Sequence, residues 1–381
     1  MAKGAYIGID NVARKVKKGY VGEDSVARKI KKAYIGIGGV ARPCWGEGKL
    51  AYYGTVTGLS LSRTSLTAAS NKKYALFVGG HVGGYGAYDT NRVDAYSASL
   101  TKTTTTISEA TNMDINAATS VGDLAFFASG YIYNHVWAFN SSLTRQDGTL
   151  WYARGSVGSA SVGNYALFAG GLYSTSTYYG HVDAFDTSMT HSNPTTIGSS
   201  ARIAGASVGD YALFAGGQDG SGYNPPLTVV YAYNSSLTRS TASSGLRVAR
   251  YLARGADNGN YAIFAGGCAI GYSGQYLATV DAYNASLTRT TPTALSVAAY
   301  NMGGARLGDY AIFGGGQVSA GVHNTVTAYD KSLVRTLLTG LSVARNSVPA
   351  ASIGDYLLFG GGQTSGSSYD HTSVVEAYTL A

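Results

Sequence analysis

One short stretch recurs through most of the chain and constrains its fold more than any other feature. Residues 165–171 read Tyr-Ala-Leu-Phe-Ala-Gly-Gly, residues 211–217 repeat this stretch, and residues 261–267 differ only by Ile for Leu. Further copies begin at Tyr74, Leu124, Tyr310 and Tyr356. The phenylalanines at their centres are Phe77, Phe127, Phe168, Phe214, Phe264, Phe313 and Phe359, at intervals of 41 to 50 residues. Seven copies at this period indicate a repeat architecture, in which each copy is one supersecondary unit.

Each repeat divides into four short runs with β-strand character, as the sixth repeat illustrates. Residues 303–307 are small and apolar, residues 310–313 are rich in aromatics, and residues 326–329 and 333–338 follow after a loop and a turn. Four antiparallel strands at this period are typical of one β-propeller blade. The first run is rich in Ala, Gly and Ser, as expected for the strand closest to a crowded axis. We therefore predict an all-β fold in which residues 47–381 form a seven-bladed β-propeller.

The last repeat is one strand short, because only three residues follow its third run at 375–378. A matching fourth run lies far upstream, at residues 53–57. The Gly58-Leu59-Ser60 that follows it matches Gly340-Leu341-Ser342. We therefore expect a strand near residues 51–58 to complete the seventh blade, which would remove the open edges of the ring.

The repeats also share an order of residue types. The seventh repeat has an Arg, a turn Gly, an aromatic strand, paired glycines and an apolar-acidic-x-Tyr strand, at Arg345, Gly354, Tyr356, Phe359, Gly361, Gly362, Val375, Glu376 and Tyr378. This order resembles the kelch repeat over residues 59–381, which implies a kelch-like seven-bladed propeller. We align the arginine of the pattern with Arg63, Arg154, Arg202, Arg250 and Arg345. Thr111 and Ala299 replace it in two repeats, and Ser129 breaks one glycine pair.

A second, shorter repeat occupies residues 1–46 with a period of 14. Each of its three units pairs a Tyr-Ile-Gly or Tyr-Val-Gly run with a Val-Ala-Arg run across a turn signal, which is a β-hairpin pattern. Residues 1–42 hold ten Lys or Arg against three acidic residues, whereas the rest of the chain has eighteen of each. The basic runs fit a solvated strand face, a docking surface for an acidic partner or, less well, nucleic-acid binding, since no nucleic-acid motif accompanies the charge.

These hairpin units resemble repeats in structural proteins of phages and prophages of Firmicutes. The resemblance covers about 40 residues, and it implies a virion protein assembled in the host cytoplasm. We expect residues 1–46 to anchor the chain to other virion proteins, with homo-oligomerisation through the repeats as a further expectation. The residues assigned to anchoring are Tyr6, Arg14, Lys15, Tyr20, Arg28, Lys29, Tyr34 and Arg42. The sequence shows neither a secretory signal nor an apolar run long enough to span a bilayer, so we expect no membrane insertion.

Sequence diversity is concentrated in the connections that reach one face of the predicted propeller. The second-to-third loops vary in length and carry many Tyr and His among Gly, Ser and Asn, a composition typical of binding loops on a rigid framework. The alternative is that these residues merely tolerate exposure. The predicted binding residues are Tyr85, Tyr88, Tyr133, His135, Trp151, Tyr152, Tyr173, Tyr178, Tyr179, His181, Tyr223, Tyr251, Tyr272, Tyr276, Tyr300, His323, Tyr369 and His371.

The sequence offers little for catalysis, metal or cofactor binding. Asp94, Asp183, Asp281 and Glu376 recur at one strand position, which favours a structural role. Loop histidines spread around a ring do not share a coordination sphere, and Cys44 and Cys268 suit neither a disulfide framework nor a metal site. No Ser/His/Asp arrangement, His-Glu-x-x-His or Walker loop is present. We therefore expect no enzyme activity, no metal and no cofactor.

Two readings of function follow. The first is a phage or prophage virion structural protein of tail or fibre type, whose loop face recognises a host-surface protein or glycan. The second is a cytosolic kelch-like protein-interaction module with a basic tail. A carbohydrate-active propeller enzyme is a weaker third reading, because no pair of acids stands out from the repeat.

Overall fold

The structure is a computed structural model. It describes residues 49–83, 90–107, 115–130, 133–174, 177–220, 225–269, 275–365 and 370–380, with backbone alone at 115, 116 and 129, and the backbone of six short strands between residues 6 and 46. Every regular element in these residues is a β-strand. None of the described segments forms a helix long and apolar enough to cross a membrane.

The chain divides into two compact units, Met1–Ala51 with Thr379–Ala381, and Tyr52–Tyr378. The first unit contains three antiparallel strand pairs: Tyr6–Ile9 with Val12–Lys15, Tyr20–Glu23 with Val26–Lys29, and Lys32–Ile37 with Val40–Gly46. The side chains of these strands, including all the predicted anchoring residues, lie outside the described part of the chain. The hairpin-repeat interpretation and the proposed boundary after residue 46 therefore stay predictions.

The second unit confirms the seven-bladed β-propeller, since seven four-stranded antiparallel sheets follow one another. In order from first to fourth strand, blades 1 to 4 are Thr67–Ser70, Tyr74–Val78, Arg92–Ser97 and Lys102–Thr106; Ile115–Val121, Leu124–Ser129, His135–Phe139 and Arg145–Thr149; Gly158–Val162, Tyr165–Ala169, Val182–Asp186 and His191–Ser192; and Ala204–Val208, Tyr211–Ala215, Val230–Asn234 and Arg239–Thr241.

Blades 5 to 7 continue the series with Arg254–Asp257, Tyr261–Ala265, Val280–Asn284 and Arg289–Thr290; Gly303–Leu307, Tyr310–Gly314, Val326–Tyr329 and Arg335–Leu338; and Ala350–Ile353, Tyr356–Gly360, Val375–Leu380 and Leu50–Val56. The fourth strand of blade 7 is thus contributed from upstream of blade 1. Short two-residue and three-residue strands in the loops are Leu172–Ser174 with Thr177–Tyr178, Ser200–Ala201 with Gln218–Asp219, and Gln317–Val318 with Gly321–Val322.

The repeated phenylalanine of the second strand forms the core between blades. All seven of these phenylalanines are at most 1% exposed. Phe168 packs with Phe126 and Ala138 of the preceding blade, and it meets Phe185 of its own third strand edge-to-face at 6.3 Å. Burial of one such side chain stabilises the fold by about 1.5–3 kcal/mol. The glycines after the strand are required by close approach, because a Cβ on Gly170 would lie 2.4 Å from the Ser200 carbonyl oxygen and its φ is +67°.

The turns between third and fourth strands share one design. The Asn140 side-chain oxygen accepts the N–H groups of Ser142 and Thr144 at 2.9 and 3.0 Å, and equivalent bonds form at Asn234, Asn284, Asp186 and Asp330. The next apolar residue adopts a left-handed conformation, as at Leu143 (φ +58°) and Leu237 (φ +59°). This conformation costs roughly 1–2 kcal/mol per residue. Packing of the leucine against the core between blades offsets that cost.

Buried ion pairs divide the blades into two sets. In blades 1, 3, 5 and 7 a fully buried arginine pairs with a fully buried acid on the third strand: Arg63 with Asp94 at 2.9 Å, Arg154 with Asp183, Arg250 with Asp281 at 2.8 Å, and Arg345 with Glu376 at 2.7 Å. These pairs join the first-strand connection to the middle of each blade. In the other blades the acid position holds Trp137, Tyr231 and Thr327, each paired in register with the repeated phenylalanine.

The structure corrects our alignment of Arg202 with the paired arginines. Each paired arginine lies fourteen residues before its repeated phenylalanine and donates to that residue's carbonyl. In blade 4 the residue at this position is the buried Ser200, fourteen before Phe214. Arg202 instead occupies the left-handed position of Ser156 and Ser347, with φ of +57°. Among the described residues, blade 4 therefore has no ion pair of this type, and neither has blade 6, where Ala299 stands at the same place.

Candidate functional site

Two kinds of connection reach the same face of the propeller: those between second and third strands and those between the fourth strand of one blade and the first strand of the next. We call this the loop face. On blade 3 the two connections bring together four of the predicted binding residues. They are Trp151 and Tyr152 from the fourth-to-first connection and Tyr179 and His181 from the second-to-third loop, and we call them the aromatic cluster.

The rings of the aromatic cluster contact one another closely. Tyr152 and Tyr179 stack with centroids 5.1 Å apart and planes inclined by 9°. The rings of His181 and Tyr152 are arranged edge-to-face with centroids 4.6 Å apart, and those of Trp151 and Tyr152 are arranged likewise at 6.4 Å. Trp151 is 57% exposed and Tyr152 is 40% exposed, so this packed group still presents broad aromatic surface to solvent. Tyr173, 50% exposed, lies in the same second-to-third loop.

The buried ion pair of blade 3 holds the aromatic cluster in place. Asp183 accepts the backbone N–H of Trp151 at 2.8 Å. Arg154 pairs with Asp183 and donates to the carbonyls of Tyr152 at 3.2 Å and His181 at 3.5 Å. Both connections are thereby tied to one guanidinium that is completely inside the protein. Charge-assisted bonds of this kind are stronger than neutral ones, so they hold the backbone of both connections firmly.

Arg154 also forms a hydrogen bond that the other three buried arginines lack. Its Nε donates to the Gly170 carbonyl at 2.6 Å. In the described residues, the Nε atoms of Arg63, Arg250 and Arg345 have no hydrogen-bond acceptor. The blade that carries the exposed aromatics is therefore the one whose buried arginine is most completely fixed.

Two histidines flank this arrangement in different ways. Burial, and secondarily the nearby Arg154, lower the pKa of His181, while Asp183 partly opposes the change. His181 is therefore neutral at neutral pH and adds an uncharged ring to the cluster. His191, on the fourth strand, places Nε2 2.6 Å from Asp183 Oδ1 and stacks on Phe185 at 4.8 Å. The sequence analysis did not single out His191, which lies on a strand rather than in a loop.

The fold itself does not require aromatic residues at these positions. The backbone N–H that Trp151 donates to Asp183 is donated in blades 1, 5 and 7 by Ser60, Arg247 and Ser342. The residues after these are Leu61, Val248 and Val343, where blade 3 has Tyr152. In blades 1, 5 and 7 these two positions thus carry no aromatic ring, which distinguishes Trp151 and Tyr152 from the core aromatics.

Other predicted binding residues form smaller groups. Tyr133 stacks on His135 at 6.0 Å, and His135 stacks on the buried Trp137 at 5.6 Å. The ring centroids of Tyr276 and Tyr300 lie 4.9 Å apart. Tyr178, in its short loop strand, packs closely against Gly220: a Cβ at Gly220 would lie 2.7 Å from the Cβ of Tyr178.

The remaining loop histidines are engaged with the backbone. Nδ1 of His323 accepts the Thr325 N–H at 3.3 Å, and burial lowers the pKa of this imidazole. Nε2 of His371 lies 3.0 Å from the Gly83 carbonyl. Both rings are thus in contact with the loops they occupy, and neither joins the aromatic cluster of blade 3.

Tyr251 differs from its prediction. It is 1% exposed, so it is a core residue rather than part of a binding surface. Its neighbour is Cys268, whose pKa burial raises to about 11, with a hydrogen bond from Tyr251 opposing the change. Five further predicted residues lie outside the described part of the chain: Tyr85, Tyr88, Tyr223, Tyr272 and Tyr369.

The described residues contain no group of His, Cys, Asp or Glu side chains that could hold a metal ion. The four acids that recur in the repeat, Asp94, Asp183, Asp281 and Glu376, are each buried against an arginine. On blade 3 the loop face presents the exposed aromatic rings of Trp151, Tyr152 and Tyr173.

No protein-family model matches the chain, and no curated protein matches it.

Proposed function

We propose that this protein is a phage or prophage virion structural protein of tail or fibre type, whose propeller recognises a host-surface protein or glycan through the loop face. The observation that carries the recognition role is the aromatic cluster, in which Trp151 and Tyr152 are exposed and pack with the half-buried Tyr179 and His181. Clustered aromatics supply large rigid contact area at a low cost in conformational entropy. Trp and Tyr are also the residues most enriched among those that dominate binding energies.

The arrangement of the cluster supports ligand binding over simple tolerance of exposure. The same backbone bond holds Ser60, Arg247 and Ser342 in other blades, so the rings of Trp151 and Tyr152 are an addition to a connection that forms without them. A rigid platform loses little freedom when a ligand docks, and this raises affinity. The flat faces of Trp151 and Tyr152 suit the C–H faces of a sugar ring or an apolar side chain of a protein.

The virion part of the proposal rests on the sequence. The three 14-residue units and their basic charge support attachment of residues 1–46 to other virion proteins, with self-association through the units as a second contact. The kelch-like order of residues supports a recognition role for the propeller, because loops on a rigid framework vary without loss of the fold.

The recognition role can be tested by making the connection of blade 3 resemble that of blade 7. The full-length Trp151→Ser/Tyr152→Val variant copies the residue types of blade 7 at both positions. We expect it to keep the parent melting temperature within a few degrees. We expect binding to host cells or to a glycan array to fall by about tenfold or more, as for loss of one hot-spot residue.

The control is Val334→Thr/Leu337→Thr, which removes two exposed apolar side chains from blade 6, away from the loop face. It should bind like the parent. Equal binding by the parent and both variants would refute recognition by the aromatic cluster. The virion role has its own test, since mass spectrometry of purified particles should detect the chain. Its absence from particles, together with stoichiometric capture of one cellular protein, would favour the cytosolic interaction module.

A further inference from the structure

The first strands of all seven blades surround a channel along the propeller axis, with a cavity volume of about 850 Å³. Most of its lining is small, as the sequence predicts for the innermost strands. At the end opposite the loop face, serines bond to one another across blades. The Ser70 hydroxyl donates to the Ser352 carbonyl at 2.5 Å, and the Ser207 hydroxyl donates to the Ser161 carbonyl at 2.7 Å. These groups are satisfied within the protein.

Charge in the channel is confined to one side. The charged residues described in its lining are Arg202, Arg254, Asp257 and Arg306, all on blades 4 to 6. Arg306 forms an ion pair with Asp257 at 2.9 Å. The wall therefore keeps an excess of two positive charges, although the chain after residue 42 is neutral in total. A concave wall of one sign concentrates the electrostatic potential and attracts anions.

Arg254 is the exceptional residue of this wall. At the same register other blades carry Thr67, Ala117, Gly158, Ala204 and Gly303. The arginine fits because blade 6 has Gly304 opposite: a Cβ there would lie 2.7 Å from Arg254 Cγ. The structure thus accommodates a long cation where every neighbouring blade has a small residue.

The guanidinium of Arg254 has few hydrogen-bond acceptors and no acidic partner among the described residues. Its Nη2 donates to the Gly304 carbonyl at 3.2 Å, and its Nε is buried without an acceptor. Within the described residues no carboxylate forms an ion pair with it, and burial lowers its pKa with no acid to oppose the change. Placing a cation in such surroundings is costly unless an opposite charge accompanies it. A guanidinium has five N–H donors in a planar fork that matches carboxylate and phosphate oxygens.

Arg202 extends the positive wall to the loop-face mouth of the channel. Its guanidinium bonds the side chain of Gln218, and its central carbon lies 6.0 Å from the Tyr251 ring centre. Tyr251, which is not a surface residue, thus helps to fix a channel arginine. An anion entering from the loop face would meet Arg202 first and Arg254 further inside.

We propose that the axial channel is a binding site for a small oxyanion-bearing ligand, a phosphate, sulfate or carboxylate group, held by Arg254 with Arg202 at the mouth. The site is separate from the aromatic cluster, and the proposal does not depend on the virion role. It explains the presence of a half-buried arginine without an acidic partner on a strand whose other blades have small residues at the same register.

Inorganic phosphate is the first probe, with sulfate and citrate as alternatives and sodium chloride at matched ionic strength as the reference. For the full-length protein, we expect phosphate, sulfate or citrate to raise the melting temperature saturably beyond the chloride reference. Arg254→Met should abolish that increase and weaken binding by about tenfold or more, as for loss of one charge-assisted hydrogen bond. Without anion, Arg254→Met should be at least as stable as the parent, since it removes a half-buried charge that has no acidic partner.

Arg145→Met is the control, because Arg145 lies on the outer strand of blade 2 and pairs there with Asp147. It should respond to phosphate like the parent, which separates the channel from the many surface cations. Arg254→Gln serves if the Met variant does not fold, and broadening of the phosphorus resonance of phosphate gives a second readout. Equal responses of the parent and the Arg254 variants would overturn the proposal. Absence of any anion response beyond the chloride reference in the parent would overturn it as well.

Discussion

Blades 3 and 4 are neighbours with the same strands and the same core, yet they hold their loop-face connections by different chemistry. In blade 3 the Trp151 N–H is accepted by Asp183, which is held by Arg154. In blade 4 the equivalent bond runs from the Gly198 N–H to the Tyr231 hydroxyl at 3.2 Å, with no charge involved. The comparison shows that a blade does not need the ion pair to form. What the ion pair adds is a fixed connection, and in blade 3 that connection carries the exposed aromatics.

Removing one partner of a pair should have the largest effect. Arg345→Ala would leave Glu376 buried without its cation, which typically costs about 3–5 kcal/mol. The double variant Arg345→Ala/Glu376→Thr copies Ala299 and Thr327 of blade 6, and it should regain most of that loss. Chemical denaturation of the parent, single and double variants measures both effects. A double variant as unstable as the single one would show that the residues of a blade without the buried ion pair cannot replace those of a blade with it.

A smaller effect separates the positioning role of Asp183 from its contribution to stability. Asp183→Asn and Asp281→Asn each weaken one arginine pair and should destabilise the fold by similar amounts, about 1.5–3 kcal/mol. Only Asp183→Asn should loosen Trp151, because Asp281 accepts from Arg247 instead. Acrylamide quenching of tryptophan fluorescence checks this, with Trp45 and Trp137 as a constant background. Equal quenching in the two variants would contradict the positioning role.

The third effect concerns pH. The pKa of His181 is lowered from its ordinary value of 6.5 by burial and by Arg154. As pH falls below 6.5, this histidine becomes protonated in the unfolded chain but stays neutral in the folded chain. The folded state is therefore most stable above pH 6.5, and its free energy of unfolding decreases as pH falls from 6.5 toward the lowered pKa of the folded state. His323 lies in blade 6, which lacks the buried ion pair. Burial lowers the pKa of His323, so its protonation should change stability in the same direction.

Melting temperatures between pH 7.5 and 5.5 measure this loss. His181→Gln and His323→Gln should each flatten the profile. If the loss at His181 reflects repulsion from Arg154 as well as burial, added salt should weaken its pH dependence more than that of His323. Identical salt responses of the two variants would indicate that burial alone acts at both sites.

The sequence predicted the blades because their determinants are local. The repeated phenylalanine, the two glycines after it and the turn before it lie within a dozen residues, and all seven phenylalanines are buried. The predicted arginine position is wrong in blade 4 because Arg202 is the nearest arginine in sequence, while the register against Phe214 assigns that position to Ser200. Only strand pairing reveals this difference.

The candidate site was predicted less completely for a related reason. Tyrosine has an apolar body and a polar tip, so composition cannot tell the exposed Tyr152 from the buried Tyr251. The grouping of Trp151 with Tyr179 and His181 depends on two connections meeting in space. The sequence gives no sign of the role of Arg254, because the space that its side chain fills is created by Gly304, fifty residues away on another blade.

The smallest effect is expected in the turns opposite the loop face, which are alike in blades with and without the buried ion pair. Asn140, Asn234 and Asn284 form the same side-chain bonds to the turn as Asp186 and Asp330. Asn234→Asp should therefore change the free energy of unfolding by less than about 0.5 kcal/mol. Asn234→Ala removes the acceptor for two N–H groups and should cost about 0.5–1.5 kcal/mol. Chemical denaturation distinguishes these outcomes, and an aspartate variant as unstable as the alanine variant would mean that the turn depends on the amide itself rather than on an acceptor oxygen.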